Sequence, residues 1–125
     1  MTPGPALGQT IVIPKSTAHQ AVSCLGALVQ AYRHGPQPGQ AQLVGELAED
    51  QKDLASRMQA SGDNTVRIPA ATLTRIADRL TGGAHAEAGS EALQAALWRT
   101  AGRLQRWMAE AADAPPARTA GAARR

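Results

Sequence analysis

The chain has 125 residues (13.0 kDa), 43% of them hydrophobic and 18% charged, enough for one compact domain or two very small ones sharing a core. No apolar run approaches the roughly 20 residues of a membrane span, which excludes a transmembrane helix, and Met1-Thr2-Pro3-Gly4-Pro5 has neither the positive charge nor the apolar stretch of a secretory signal. A single cysteine, Cys24, excludes an internal disulfide and a cysteine-ligated metal fold. The expectation is a cytoplasmic protein in a reducing compartment, with no membrane partner and no cofactor.

Aromatic residues make up 2% of the chain and Phe is absent, so a core has to be built from Leu, Ile, Val, Met and Ala. That composition suits closely packed helices, because Ala is the best helix former and lets helix axes approach, whereas an all-β core wants the β-branched and aromatic residues that are scarce here. A net charge of +3 and a pI near 9.8 point toward nucleic acid. Yet Arg118, Arg124 and Arg125 lie in an acid-free terminal stretch, and the remainder balances at 10 basic against 10 acidic residues. Within it, residues 40–61 carry Glu46, Glu49, Asp50 and Asp53 against Lys52 and Arg57. Residues 67–107 carry Arg67, Arg75, Arg79, Arg99, Arg103 and Arg106 against Asp78, Glu87 and Glu91, which makes the second half the better match to an anionic partner.

Residues 1–8 and 114–125 are rich in Pro, Gly and Ala without apolar periodicity and read as disordered, the second a basic tail. A strand-like tetrad, Thr10 to Ile13, opens the remainder. A first helix over 16–33 sets Ala18, Val22, Leu25, Val29 and Tyr32 on one stripe with Ala21 and Leu28 beside it, and Cys24 near its edge reads as a small buried hydrophobe. This helix has no charged residue from Ser16 to Tyr32, so it is either central to a bundle or covered by a protein partner or second copy. Gly35, Pro36, Pro38 and Gly39 end it. A second helix over 40–60 directs Leu43, Leu47, Leu54 and Met58 inward, while Asp50 and Asp53, amid Glu46, Glu49 and Lys52, read as a solvated face.

After Ser61-Gly62-Asp63-Asn64 comes a second tetrad, Thr65 to Ile68, and then a helix over 70–80 with Leu73, Ile76, Ala77 and Leu80 inward, expected to break at Gly82-Gly83. The last helix starts either near Ala84 or at Ser90, a good N-cap, and continues to about Ala112. Leu93, Leu97, Ala101, Leu104, Trp107, Met108 and Ala111 fall in one arc of it, opposite Arg99, Arg103, Arg106 and Glu110, a face read as solvated. Trp98 falls off the apolar arc; capping the core beneath a terminus is the favoured expectation and an exposed binding patch the other.

Thr10-Ile11-Val12-Ile13-Pro14-Lys15-Ser16-Thr17 recurs 55 residues on as Thr65-Val66-Arg67-Ile68-Pro69-Ala70-Ala71-Thr72. Each copy is followed by a helix, a break and a longer helix, which reads as a duplicated strand-helix-helix unit. Ile11, Ile13, Val66 and Ile68 alternate with outward Thr10, Val12, Thr65 and Arg67. The proline after each tetrad ends the strand and suits the start of a helix. The expected fold is mainly α: four helices with two short strands paired as an antiparallel ribbon. It forms one pseudo-symmetric domain over 9–113, built of copies 9–61 and 64–113.

This arrangement resembles the ribbon-helix-helix family of DNA-binding proteins, in its tandem form with two copies in one chain. The resemblance spans 9–112 and is best in the second copy: Thr65-Val66-Arg67-Ile68-Pro69, then Leu73, Ile76 and Leu80, then Ser90-Glu91-Ala92-Leu93. It implies that Thr10, Val12, Thr65 and Arg67 enter the major groove, and that a phosphate sits at the start of each second helix, at Gln40 and Ser90, where free N–H groups and the helix dipole favour an anion. The sequence departs from the family in having Arg67 as its only outward strand residue able to make a bidentate base contact, and in the length of the segment between Leu80 and Ser90.

His19, His34 and His85 have no mutual helical spacing and no paired carboxylates, and Gly82-Gly83 lacks the rest of a phosphate loop, so neither catalytic nor metal residues are assigned. The expected function is a non-enzymatic DNA-binding protein, a regulator or a DNA-processing accessory, with double-stranded DNA as partner. The competing expectation is a helical interaction protein in which the strands only tie two hairpins together.

Overall fold

The computed structural model describes residues 9–34 and 40–113; the two terminal segments expected to be disordered lie outside them. The described elements follow the order β1 (Thr10–Pro14), α1 (Lys15–Arg33), α2 (Ala41–Ala60), β2 (Thr65–Pro69), α3 (Ala70–His85) and α4 (Glu91–Asp113). The fold is mainly helical with one two-stranded antiparallel sheet.

β1 and β2 pair with Ile11 opposite Ile68, Val12 opposite Arg67 and Ile13 opposite Val66. Because Val12 and Arg67 are 55 residues apart, each faces its own counterpart in the repeat, and the pseudo-two-fold axis passes between them. Ile11, Ile13, Val66 and Ile68 are all buried, each burial contributing about 1.5–3 kcal/mol. Pro14 and Pro69 occupy the helix N-cap positions at φ −63° and −59°, where the ring geometry costs nothing, but neither has a side-chain oxygen to cap the helix. The opposite strand supplies the cap instead. Lys15 N–H donates to the Asn64 carbonyl and Ala70 N–H to the Gln9 carbonyl, both at 2.7 Å, a pair related by the same 55-residue repeat.

Beneath the ribbon, α1 pairs with α2 and α3 with α4, and α1 also touches α3, α4 and both strands. The first helix, without charge from Ser16 to Tyr32, is therefore central to the bundle: Ala18, Ala21, Cys24, Leu25, Leu28 and Val29 are buried. Buried residues of the second helices recur at a spacing of 50, not 55: Leu47 with Leu97, Leu54 with Leu104, Asp50 with Thr100. The change of spacing reflects a longer first helix, 19 residues in α1 against 16 in α3, and a longer connection after it.

Three sequence expectations are corrected. The third helix does not break at Gly82-Gly83 but continues to His85. A Cβ on Gly83 would lie 2.5 Å from Cδ2 of buried Leu28, so this glycine lets α3 approach α1. The true stop comes at Glu87 (φ 55°) and Gly89 (φ 69°), a left-handed turn that glycine adopts without strain. Ser90 then caps α4, its hydroxyl accepting from Leu93 N–H at 3.1 Å.

Asp50 does not lie on a solvated face. It is 5% exposed, and Arg75 reaches across from α3 to meet it. Trp98 does not cap the core either: it is 47% exposed, with the His85 ring set edge-on against it at a centroid distance of 4.8 Å.

Candidate nucleic-acid interface

Strand alternation places Thr10, Val12, Thr65 and Arg67 on the outer face of the ribbon, together with Pro14 and Pro69 at its two ends. Val12 is 45% exposed, although β-branched side chains of its kind are ordinarily buried. Its partner Arg67 is exposed and makes no ion pair among the described residues. Asp63, the nearest acid in sequence, is occupied elsewhere: its Oδ1 accepts from Thr65 N–H at 2.9 Å and from Thr65 Oγ1 at 2.7 Å. Those hydrogen bonds from Thr65, with Ser61 and the charge of Lys15 adding to them, hold the Asp63 carboxyl below the ordinary carboxylate range. Ser61 Oγ also bonds the Thr65 carbonyl, so the turn into β2 is fixed by its own side chains.

The remaining cations divide by location. Arg75 and Arg79 of α3 reach across to α2, pairing with Asp50 and Glu46. Hydrogen bonding to Asp50 is the main cause raising the Arg75 pKa, so its charge is fixed at every accessible pH. Arg103 donates to Gln20 Oε1 at 2.6 Å, while Arg99 and Arg106 are exposed on α4. Close to the ribbon stand Lys15, whose Nζ donates to the Ser61 carbonyl at 3.2 Å, and Arg57, which pairs with Asp53 one turn earlier.

Of the six positions singled out in the sequence, the ribbon brings together Thr10, Val12, Thr65 and Arg67. Gln40 and Ser90 are not with them. The parts of α2 and α4 that meet the ribbon are their C-terminal ends, through Lys15 to Ser61 and Gln9 to Ala111. The N-termini lie a helix length further on, about 30 Å for 20 residues at about 1.5 Å each. In the sequence Arg57 counts only toward the charge balance of residues 40–61, with nothing local to set it beside the ribbon. Aligning the second helices at a spacing of 50 finds it, since the same position in α4 is Trp107. Compared with family models, with curated proteins and with solved structures, the chain matches none.

Proposed function

We propose that this chain is a small non-enzymatic DNA-binding protein, a regulator or DNA-processing accessory, that lays its ribbon in the major groove. The observation that carries the reading is the outer face of that ribbon: an Arg67 with no ion pair among the described residues opposite an exposed Val12, on a ladder seated on the helical core. A two-stranded ribbon fits a major groove about 12 Å wide, and a five-residue strand spans about 17 Å of it. Arg67 offers a bidentate contact to a guanine edge, while Val12 and the methyl groups of Thr10 and Thr65 suit thymine methyls.

A second reading has its own support, the ion pairs that tie Arg75 and Arg79 to α2 and leave few cations for a phosphate footprint. On that reading the protein is a helical interaction module with no nucleic-acid role. Titration against random-sequence duplex DNA at two salt concentrations separates them. Phosphate contacts make affinity fall steeply with salt, and absence of binding at low salt leaves the interaction module standing.

A further inference from the structure

The two flanks of the ribbon are built from repeat-related positions, yet they differ in chemistry. On the β2 flank stand Lys15, Arg57 and Arg67; their counterparts are Ala70, Trp107 and Val12. Three cations thus stand where the other half has three uncharged residues; the same flank also carries two acids, Asp63 and Asp53, the latter paired with Arg57.

On the cationic flank an open cleft of about 380 Å³ lies between the end of α2 and β2, lined by Arg57, Ser61, Gly62, Asp63, Thr65 and Arg67 among others. Arg57 uses Nε to hold Asp53, and its two terminal nitrogens make no hydrogen bond among the described residues. No partner is found there for the Gly62 N–H either, and a Cβ on Gly62 would meet nothing within 4 Å, so that side of the turn is open. Asp63 borders the cleft, but its Oδ1 is already turned to Thr65 and Ser61. The C-terminal carbonyls of α2 disfavour an anion, and the charge of Lys15, bonded to the carbonyl of the C-cap Ser61, offsets that field.

We infer that this cleft is a seat for one phosphate of a DNA backbone, held by Arg57 and the Gly62 N–H with Lys15 and Arg67 beside it. The seat takes the place of the helix N-termini at Gln40 and Ser90. The inference rests on the DNA-binding reading and sharpens it: the backbone is gripped on one side of the ribbon only.

The test is a titration of several random-sequence duplexes across a salt series with the wild-type chain, Arg57→Gln, Arg57→Lys and Lys15→Gln, the thermal midpoint of each variant confirming that it is folded. Loss of one phosphate contact lowers the slope of log affinity against log salt by about 0.9, or about eightfold in affinity over one decade of salt. Arg57→Gln is expected to show that loss equally on every sequence, Lys15→Gln a loss in the same direction, and Arg57→Lys to retain the wild-type slope. If the wild type binds and both Gln variants keep its slope, the seat is refuted while the ribbon reading survives. A sequence-dependent loss with unchanged slope also refutes the seat. If the wild type shows no salt-dependent binding, both fall together.

Discussion

Arg75 grips Asp50 where, across the pseudo-two-fold axis, Gln20 stands in the place of Arg75 and Thr100 in that of Asp50. Arg75 donates from Nη2 to Oδ1 at 2.7 Å and from Nε to Oδ1 and Oδ2 at 3.2 and 3.3 Å. Arg79 with Glu46 repeats the pattern one turn on, where the other side has Cys24 against the Ala96 carbonyl. One layer of the bundle thus carries ion pairs between α2 and α3 and, among the described residues, none between α1 and α4, where Arg103 bonds the neutral Gln20 instead.

That asymmetry yields unequal costs within one ion pair. Arg75→Ala leaves the Asp50 carboxylate buried without its partner and is expected to cost about 2–3 kcal/mol, less than the roughly 3–5 kcal/mol of a fully buried pair because Arg75 itself is half exposed. Asp50→Ala leaves an arginine that can turn to water and costs less, about 1 kcal/mol. Urea unfolding of the two variants checks the order; equal costs would contradict it.

Adjacent glycines are expected to respond with opposite sign. Gly82→Ala, with nothing within 4 Å of the new methyl, stabilises by about 0.5–1 kcal/mol through helix propensity. Gly83→Ala gains the same propensity but drives a methyl into Leu28, and overpacking of this kind costs about 1–3 kcal/mol. Thermal midpoints should rise for the first and fall for the second, and Leu28→Val in the Gly83→Ala background should recover part of the loss.

These two glycines also mark where the sequence was legible. The strands, their antiparallel pairing and their inward faces were readable because alternation over Thr10 to Ile13 and Thr65 to Ile68 is local, and because proline fixes both ends. Ser90 was readable as a cap for the same reason. Gly83 was misread as a stop because a glycine that admits a neighbouring helix has no local signature distinct from one that ends a helix. Asp50 was misread because periodicity marks the polar side of α2 and cannot show that arginines of α3 reach across to it. Trp98 is exposed beside His85, although its size alone argued for burial.

The turn before β2 should respond to acid. Asp63 has its carboxyl depressed by Thr65, so its contribution is present above the ordinary Asp value of about 3.9 and is lost as pH falls through the depressed one. The Thr65 amide resonance is expected to titrate with a midpoint below that of an ordinary Asp. A midpoint at or above it would mean that the hydrogen bonds from Thr65 do not persist in solution.

Arg67→Ala should separate binding from folding. On the proposed function it lowers affinity for the preferred duplex by about 1–3 kcal/mol and relaxes discrimination at one base pair, while stability moves by no more than about 0.5 kcal/mol. Unchanged DNA affinity together with lost stability would favour the interaction module.

Pairing strands whose residues lie 51 to 59 apart also governs how the molecule opens. β1 pairs only with β2, which the chain reaches after α1 and α2, so the ladder closes a long loop. Once closed, it caps α1 and α3 alike through the Asn64 and Gln9 carbonyls, so releasing either strand uncaps both halves. The ribbon amides should therefore exchange with solvent at the rate of global unfolding rather than by local fraying. Whatever meets the outer face meets a surface that is already assembled.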